Sequence, residues 1–287
     1  MTVKHETYYV PEPSPWPAIA TLAVFSILFG AALAINGLFV GGVVMVLGFG
    51  LFAYLLFAWF GDLVRENLAG LHNDQVDSSF RLGMYWFIAS EVFFFLSFFG
   101  ALWYIRNVSV DWLGGTGYLS ATHMLYDQFA AHWPTAGPGA IGGEFTPMQA
   151  WGVPALNTLI LLSSGATITW AHWGLKAENR TLLVRGLAAT IALGLLFVVM
   201  QAIEYQDAYQ HLNLTLRSGV YGSTFYILTG FHGLHVITGA IMLAAILGRS
   251  LKGHFSPQNH FGFEAVAWYW HFVDVVWLAL FFLVYMF

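Results

Sequence analysis

The first residue that could carry chemistry is a carboxylate inside an apolar segment. Glu91 is the only acidic or basic residue in YWFIASEVFFFLSFFG, which runs from Tyr85 to Gly100. Ionisable side chains inside a membrane-spanning segment are costly and mark functional candidates. The positions three and four residues away hold only apolar side chains, Phe87, Ile88, Phe94 and Phe95. We therefore expect a partner from another helix or from water. Two roles are open: a proton-handling group, or a neutral carboxyl that joins helices.

Polar side chains also recur in the last two apolar segments. In FEAVAWYWHFVDVVW, Glu264, His271 and Asp274 fall on one helical face, and His271 and Asp274 are spaced to hydrogen-bond each other. The preceding segment, STFYILTGFHGLHVITG, holds His232 and His235 near its middle. We interpret these five residues as a structural polar network between helices.

An alternative role for the histidines is ligation of haem iron. His235 and His271 lie at similar predicted depths on two helices, as two axial ligands must. However, His232 and His235 are only three residues apart, beside a glycine rather than a wide pocket. The chain also has no cysteine, which excludes thiolate ligands and disulfides within it. On the residues alone, haem ligation is therefore disfavoured but open, and a site for a soft metal is disfavoured further.

Motifs of soluble enzymes are absent from the sequence. It has no nucleophile elbow, P-loop, zincin pattern or dinucleotide fingerprint. The chain by itself is therefore predicted to be non-catalytic and to hold no catalytic residue.

Two groups of charged residues lie near the predicted membrane surfaces. At the end of the fifth apolar segment, surface polarity is the ordinary explanation for Glu204, Asp207 and His211. At the opposite surface, the second group consists of Arg65, Glu66, His72 and Arg249. Arginines at this level commonly contact lipid phosphates. The general excess of cations on the inner side of membrane proteins explains these residues equally well, so lipid binding is open on charge alone.

The composition indicates which elements must position these residues. The chain is 58% hydrophobic and 9% charged, whereas a soluble domain carries about 25% charged residues. An integral membrane protein is therefore indicated. The net charge is −5 and no basic cluster is present, which excludes nucleic-acid binding. Seven segments approach the length of about 20 apolar residues that spans a bilayer: Trp16–Phe39, Val43–Phe60, Leu82–Ile105, Val153–Trp173, Leu182–Glu204, Val220–Leu247 and Glu264–Phe287.

The predicted fold is an all-α integral membrane bundle of seven transmembrane helices. Only Val40–Gly42 separate the first two spans, which predicts a tight helical hairpin. We divide the chain into an N-terminal segment with the hairpin (1–60), an inner connecting loop (61–81) and a five-helix bundle (82–287). The bundle contains a long outer loop, 106–152, rich in Gly, Pro, His and Trp.

The basic residues predict the orientation in the membrane. With the N-terminus inside, eight of the ten Lys and Arg residues lie on the inner side, and only Arg106 and Arg217 lie outside. The N-terminal segment resembles neither a signal peptide nor a transit peptide, so we expect the first helix to act as its own insertion signal.

Several strings along the whole chain resemble subunit III of haem–copper cytochrome c oxidases. They are PSPWP at 13–17, LVRE at 63–66, RLGMYWFIASEVFFF at 81–95, PALNTLILLSSGATITWAHW at 154–173, QAIEY at 201–205, GVYGSTFYILTGFHGLHVITG at 219–239 and HFGFEAVAWYWHFVDVVWL at 260–278. The resemblance implies that the hairpin is splayed from the other five helices, with phospholipids in a V-shaped cleft between them. It also implies a subunit without haem or copper of its own, in a complex with catalytic subunit I and copper-carrying subunit II. Such a subunit supports proton uptake and protects the complex from inactivation during turnover.

The resemblance further implies roles for particular residues. Glu91 corresponds to the family's carbodiimide-reactive carboxylate, and lipid head-group positions correspond to Arg65, Glu66, His72 and Arg249. Departures in the outer loop, such as WPT where the family has WPP, favour a bacterial member. We therefore expect a subunit of a proton-pumping cytochrome c oxidase in a bacterial inner membrane. Its N-terminus is expected in the cytoplasm and its C-terminus in the periplasm.

Two other functions are open. A subunit of a related quinol oxidase is disfavoured by the first hairpin, which such subunits often lack. A free-standing proton or solute transporter built on Glu91, His271 and Asp274 is disfavoured because the sequence shows no pair of broken helices.

Overall fold

The computed structural model describes residues 9–10, 12–116, 120–140 and 142–286. These residues contain no β-strand, and seven of their helices are long and apolar enough to cross a membrane. The predicted all-α class and the number of spans are therefore confirmed. The α-helices are α1 (Trp16–Ile35), α2 (Phe39–Leu68), α3 (Asp74–Tyr104), α4 (Val110–Leu113), α5 (Val153–Lys176), α6 (Arg180–His211), α7 (Gly219–Leu251) and α8 (Phe261–Leu280).

Three shorter helical pieces adjoin these elements. A π-helix, Ile105–Ser109, joins α3 to α4, and a second π-helix, Phe281–Met286, continues α8. A 3-10 helix covers Ser120–Leu125. Helical structure thus runs on to Leu113, so the predicted start of the outer loop at residue 106 is too early.

The chain forms two compact units, Met1–Leu82 and Gly83–Phe287. The first contains α1, α2 and the start of α3, and the second contains the rest of α3 and the later helices. The splay of the hairpin and its lipid-filled cleft stay predictions.

In the first unit, α1 and α2 pack closely because glycines face the opposing backbone. A Cβ atom at Gly48 would lie 2.8 Å from the backbone nitrogen of Ile27, and one at Gly30 or Gly41 would also overlap the facing backbone. The turn between the helices is Asn36–Leu38, where Gly37 adopts φ 80°. The packing of α1 on α2 is consistent with the predicted hairpin, but its predicted connection at Val40–Gly42 is wrong, since those residues lie inside α2.

The predicted inner loop, 61–81, is mostly helical. α2 continues to Leu68 and α3 begins at Asp74, so five residues connect them. Arg65, Glu66 and Arg81 are good helix formers, so their charge does not end the helix. The Asn73 side chain accepts a hydrogen bond from the backbone nitrogen of Val76 at 3.0 Å and thereby stabilises the first turn of α3.

In the second unit, large aromatic side chains form the core between α5, α6, α7 and α8. Trp270 and Trp277 on α8 are fully buried, and their indole nitrogens donate to Ser164 Oγ at 2.8 Å and Thr158 Oγ1 at 2.9 Å on α5. Gly194 leaves room for the Trp270 ring, because a Cβ atom there would lie 2.6 Å from it. This core holds the polar residues of α7 and α8 at fixed depths.

Candidate functional site

Glu91 on α3 is bonded to a histidine of another helix. Its Oε2 lies 2.9 Å from Nε2 of His235 on α7, and the two side chains are 22% and 13% exposed. The prediction that the partner of Glu91 comes from another helix is confirmed. The sequence had placed the two residues in separate groups, 144 positions apart.

The surroundings of His235 fix the proton count of this pair. Its Nδ1 lies 2.7 Å from the carbonyl oxygen of Phe231, and a carbonyl can only accept, so Nδ1 carries a hydrogen. The 2.9 Å contact then needs one more proton, either on the carboxyl of Glu91 or on Nε2 of His235. Either form has no net charge, which suits a pair packed against the rings of Phe94 and Phe95.

The other predicted network residues do not join this pair. His232 is fully buried and its Nε2 lies 3.1 Å from the carbonyl oxygen of Val273. His271 Nδ1 lies 3.5 Å from Asp274 Oδ2, as the spacing predicts, and His271 Nε2 lies 3.4 Å from Thr169 Oγ1 on α5. These residues thus make separate polar contacts, and their role as a structural polar network between helices stays a prediction.

Glu264 belongs to a further group at the start of α8. Its Oε1 lies 3.4 Å from Nε2 of His260 and 3.7 Å from Nε2 of His172 on α5. Sequence reasoning missed both histidines as partners of Glu264, because no pattern joins the end of α5 to the residue before α8.

The contacts of the histidines bear on the haem alternative. Both ring nitrogens of His235 and Nε2 of His232 already face protein partners at 2.7–3.1 Å. Ligation of iron by any of these three nitrogens would break a buried hydrogen bond. The group left unpaired would cost about 1–3 kcal/mol. The contacts favour helix packing over haem ligation.

Glu204 differs from its sequence interpretation. It is 1% exposed, and its Oε1 accepts a hydrogen bond from the Tyr285 hydroxyl at 2.6 Å. Surface polarity is therefore the wrong explanation for Glu204, although it fits the exposed Asp207–His211 pair. The available signal was helical spacing, since Phe197, Gln201 and Glu204 share one buried face of α6.

The candidate lipid residues of the first unit form a small polar cluster. Arg65 is 76% exposed and pairs with Asp62. The imidazole of His72 lies 3.5 Å from Glu66 Oε2 and 3.5 Å from the Asn67 amide nitrogen. Within this cluster the Arg65 guanidinium is therefore exposed, whereas the His72 side chain is largely buried.

Arg249, in the second unit, lies beside an aromatic ring at the end of α7. Its guanidinium carbon is 4.4 Å from the ring centroid of Phe255, and its buried Nε has no hydrogen-bond partner among the described residues. Burial lowers the pKa of the nearby His254, and Arg249 and Lys252 lower it further. This end of α7 is therefore cationic, with a donor available for a ligand.

Comparisons with known proteins cover essentially the whole chain. A family model described as Cytochrome c oxidase subunit III matches residues 5–287. Proteins named Cytochrome c oxidase subunit 3 are similar over nearly their full length. The one from Cyprinus carpio is 42% identical over 286 residues, which are 99% of this chain and 98% of the relative. That from Marchantia polymorpha is 41% identical over 283 residues, or 98% and 96%.

Proposed function

The chain belongs to the cytochrome c oxidase subunit III family, and on that premise we propose that this subunit of a terminal oxidase complex is itself non-catalytic. The haem and copper centres would lie in its partners, catalytic subunit I and copper-carrying subunit II. The electron donor would be cytochrome c, as the names of the relatives indicate. The role of this chain would be to stabilise subunit I and to support its proton uptake.

The observation that carries the proposal is the Glu91–His235 pair. A shared proton in an apolar setting gives α3 and α7 a joint without net charge. Such a pair holds one shared proton between the two helices. This suits a supporting role beside a proton-pumping subunit better than a pathway of its own, because no chain of ionisable groups continues from it among the described contacts.

We also propose that two places that contain an arginine bind phospholipid head groups. The first is formed by Arg65, Glu66 and His72, and it is supported by the exposed guanidinium of Arg65. The second is Arg249, supported by its unpartnered Nε. A lipid phosphate accepts several charge-assisted hydrogen bonds and would satisfy these donors.

The seven apolar helices and the positions of the basic residues support a proposal for the location of the chain. The chain is a multi-pass membrane protein. We propose that it lies in a bacterial inner membrane with its N-terminus in the cytoplasm and its C-terminus in the periplasm. The asymmetry of Lys and Arg between the two sides supports this orientation.

The proposal is tested by purifying the oxidase with and without this chain. Without it, the complex should keep its haem spectrum and its initial oxygen reduction with cytochrome c, but should lose activity sooner during turnover. Loss of haem in proportion to the missing chain would show that this chain holds a redox centre. Proton movement by the chain alone in liposomes would favour the transporter, and a preference for quinol would favour the quinol-oxidase alternative.

A further inference from the structure

His172, His260 and Glu264 bring three metal-ligating atoms together at one end of the bundle. The ligand atoms of the three residues all lie within 4.8 Å of one another. His172 is near the end of α5, His260 directly precedes α8, and Glu264 is in the first turn of α8. The three residues therefore come from two helices that meet at this end.

The histidine nitrogens in this cluster make no hydrogen bond among the described residues. Nε2 of His260, which is 8% exposed, lies 3.4 Å from Glu264 Oε1 without hydrogen-bond geometry. Nε2 of His172 is likewise buried and has no hydrogen-bond partner in the described part of the chain. Buried polar atoms are nearly always hydrogen-bonded, so two such nitrogens at one place favour a site that binds a ligand.

The tautomer of His260 suits a metal ligand. Its Nδ1 lies 3.1 Å from the carbonyl oxygen of Ser256, so Nδ1 carries the hydrogen and Nε2 keeps a free lone pair. Metal-binding histidines are commonly oriented by such a bond from the other ring nitrogen. The arrangement holds the ring with its lone pair directed at the cluster.

The two separations from Glu264 are close to those around a small tetrahedral ion. Zinc lies about 2.0–2.2 Å from histidine nitrogen and carboxylate oxygen, so tetrahedral ligand atoms are separated by about 3.4 Å. The observed separations from Glu264 Oε1 are 3.4 Å to His260 and 3.7 Å to His172. Calcium and magnesium prefer oxygen ligands, whereas two imidazoles and one carboxylate suit Zn²⁺.

We propose that His172, His260 and Glu264 bind one Zn²⁺ ion, with a fourth position open to water. The ion ties the end of α5 to the start of α8. Lys176 lies one turn from His172 on α5, and its positive charge opposes a bound cation. Binding is therefore expected to be weaker than in a structural zinc site, and the ion to be exchangeable.

The test is the zinc content of the purified oxidase complex after equilibration with micromolar free Zn²⁺. The wild-type complex should hold one more zinc ion than His172→Ala, His260→Ala or Glu264→Gln. His132→Ala, a histidine in the outer loop, is the matched control and should keep the wild-type count. Lys176→Gln should bind zinc severalfold more tightly, because it removes the opposing charge. Equal zinc counts in all variants would overturn the proposal.

A measurement on the wild-type complex covers the case in which a ligand variant does not assemble. X-ray absorption at the zinc edge should show two imidazoles and further nitrogen or oxygen ligands at about 2.0–2.2 Å. A spectrum without an imidazole pair would overturn the proposal in the same way.

Discussion

Removing the carboxyl of Glu91 should destabilise the joint between α3 and α7, whereas an amide should preserve it. In Glu91→Ala, the Nε2 atom of His235 loses a partner at 2.9 Å on a side chain that is 13% exposed. An orphaned buried polar atom costs about 1–3 kcal/mol, and partial exposure places this case near 1–2 kcal/mol. In Glu91→Gln, the amide nitrogen can donate to the same Nε2, so the expected cost is below about 1 kcal/mol.

The assay is the temperature at which the chain leaves the solubilised complex, followed by size-exclusion chromatography with a fluorescent label on this chain. For a chain of this size, 1 kcal/mol corresponds to roughly 2 °C. Glu91→Ala should therefore lower the midpoint by about 2–4 °C and Glu91→Gln by less than about 2 °C. Ser97→Ala is the control, since its hydroxyl donates to the carbonyl oxygen of Phe94 on its own helix.

A double-mutant cycle makes the test specific to the pair. The cost of combining Glu91→Ala with His235→Ala should be about 1 kcal/mol smaller than the sum of the two single costs. Either single substitution already breaks the hydrogen bond, so the double variant does not lose it a second time. The reasoning is refuted if Glu91→Gln costs as much as Glu91→Ala, or if the effects of the two alanine substitutions simply add.

Two further predictions concern other polar residues of the second unit. Arg249→Ala should reduce the phospholipid that is retained through purification, measured by phosphorus content. Lys252→Ala should reduce it less, because Lys252 is an exposed residue at the end of α7. Equal lipid content in both variants would contradict the proposed head-group site. Tyr285→Phe should lower the dissociation temperature, since it removes the hydrogen bond of buried Glu204 at a cost of about 1–3 kcal/mol. Tyr209→Phe, at an exposed tyrosine, should have little effect, and an equal shift in both would argue against a stabilising Glu204 contact.

The sequence predicted the helices well because membrane spans are long and strongly apolar. It failed at their ends, where charged residues such as Arg65 and Arg81 lie in helices that extend past the apolar segment. Hydropathy finds the part of a helix that lies in hydrocarbon, but backbone hydrogen bonding continues beyond that part. The turn at Gly37 was misplaced for a similar reason, since several glycines lie close together and only one of them has the left-handed conformation.

The candidate site was predicted one residue at a time. The lone carboxylate of Glu91 required a partner from elsewhere, but no helical spacing could identify His235, which lies on α7. Glu264 was assigned to a face shared with His271, whereas its contacts include His172 and His260. Periodicity reports neighbours on one helix, and the contacts at this site depend on which helices pack together.

The glycine-packed hairpin leaves its bulky residues on the outside. Phe25, Leu28 and Phe57 are largely exposed, while Gly30, Gly41 and Gly48 bring the two backbones together. The packing of α1 against α2 thus depends on close contact between their backbones and needs no large side chain at the interface. The outward-facing residues are consequently free to vary with the thickness and lipid composition of the bilayer. A side chain added at Gly30, Gly41 or Gly48 would instead force the two helices apart.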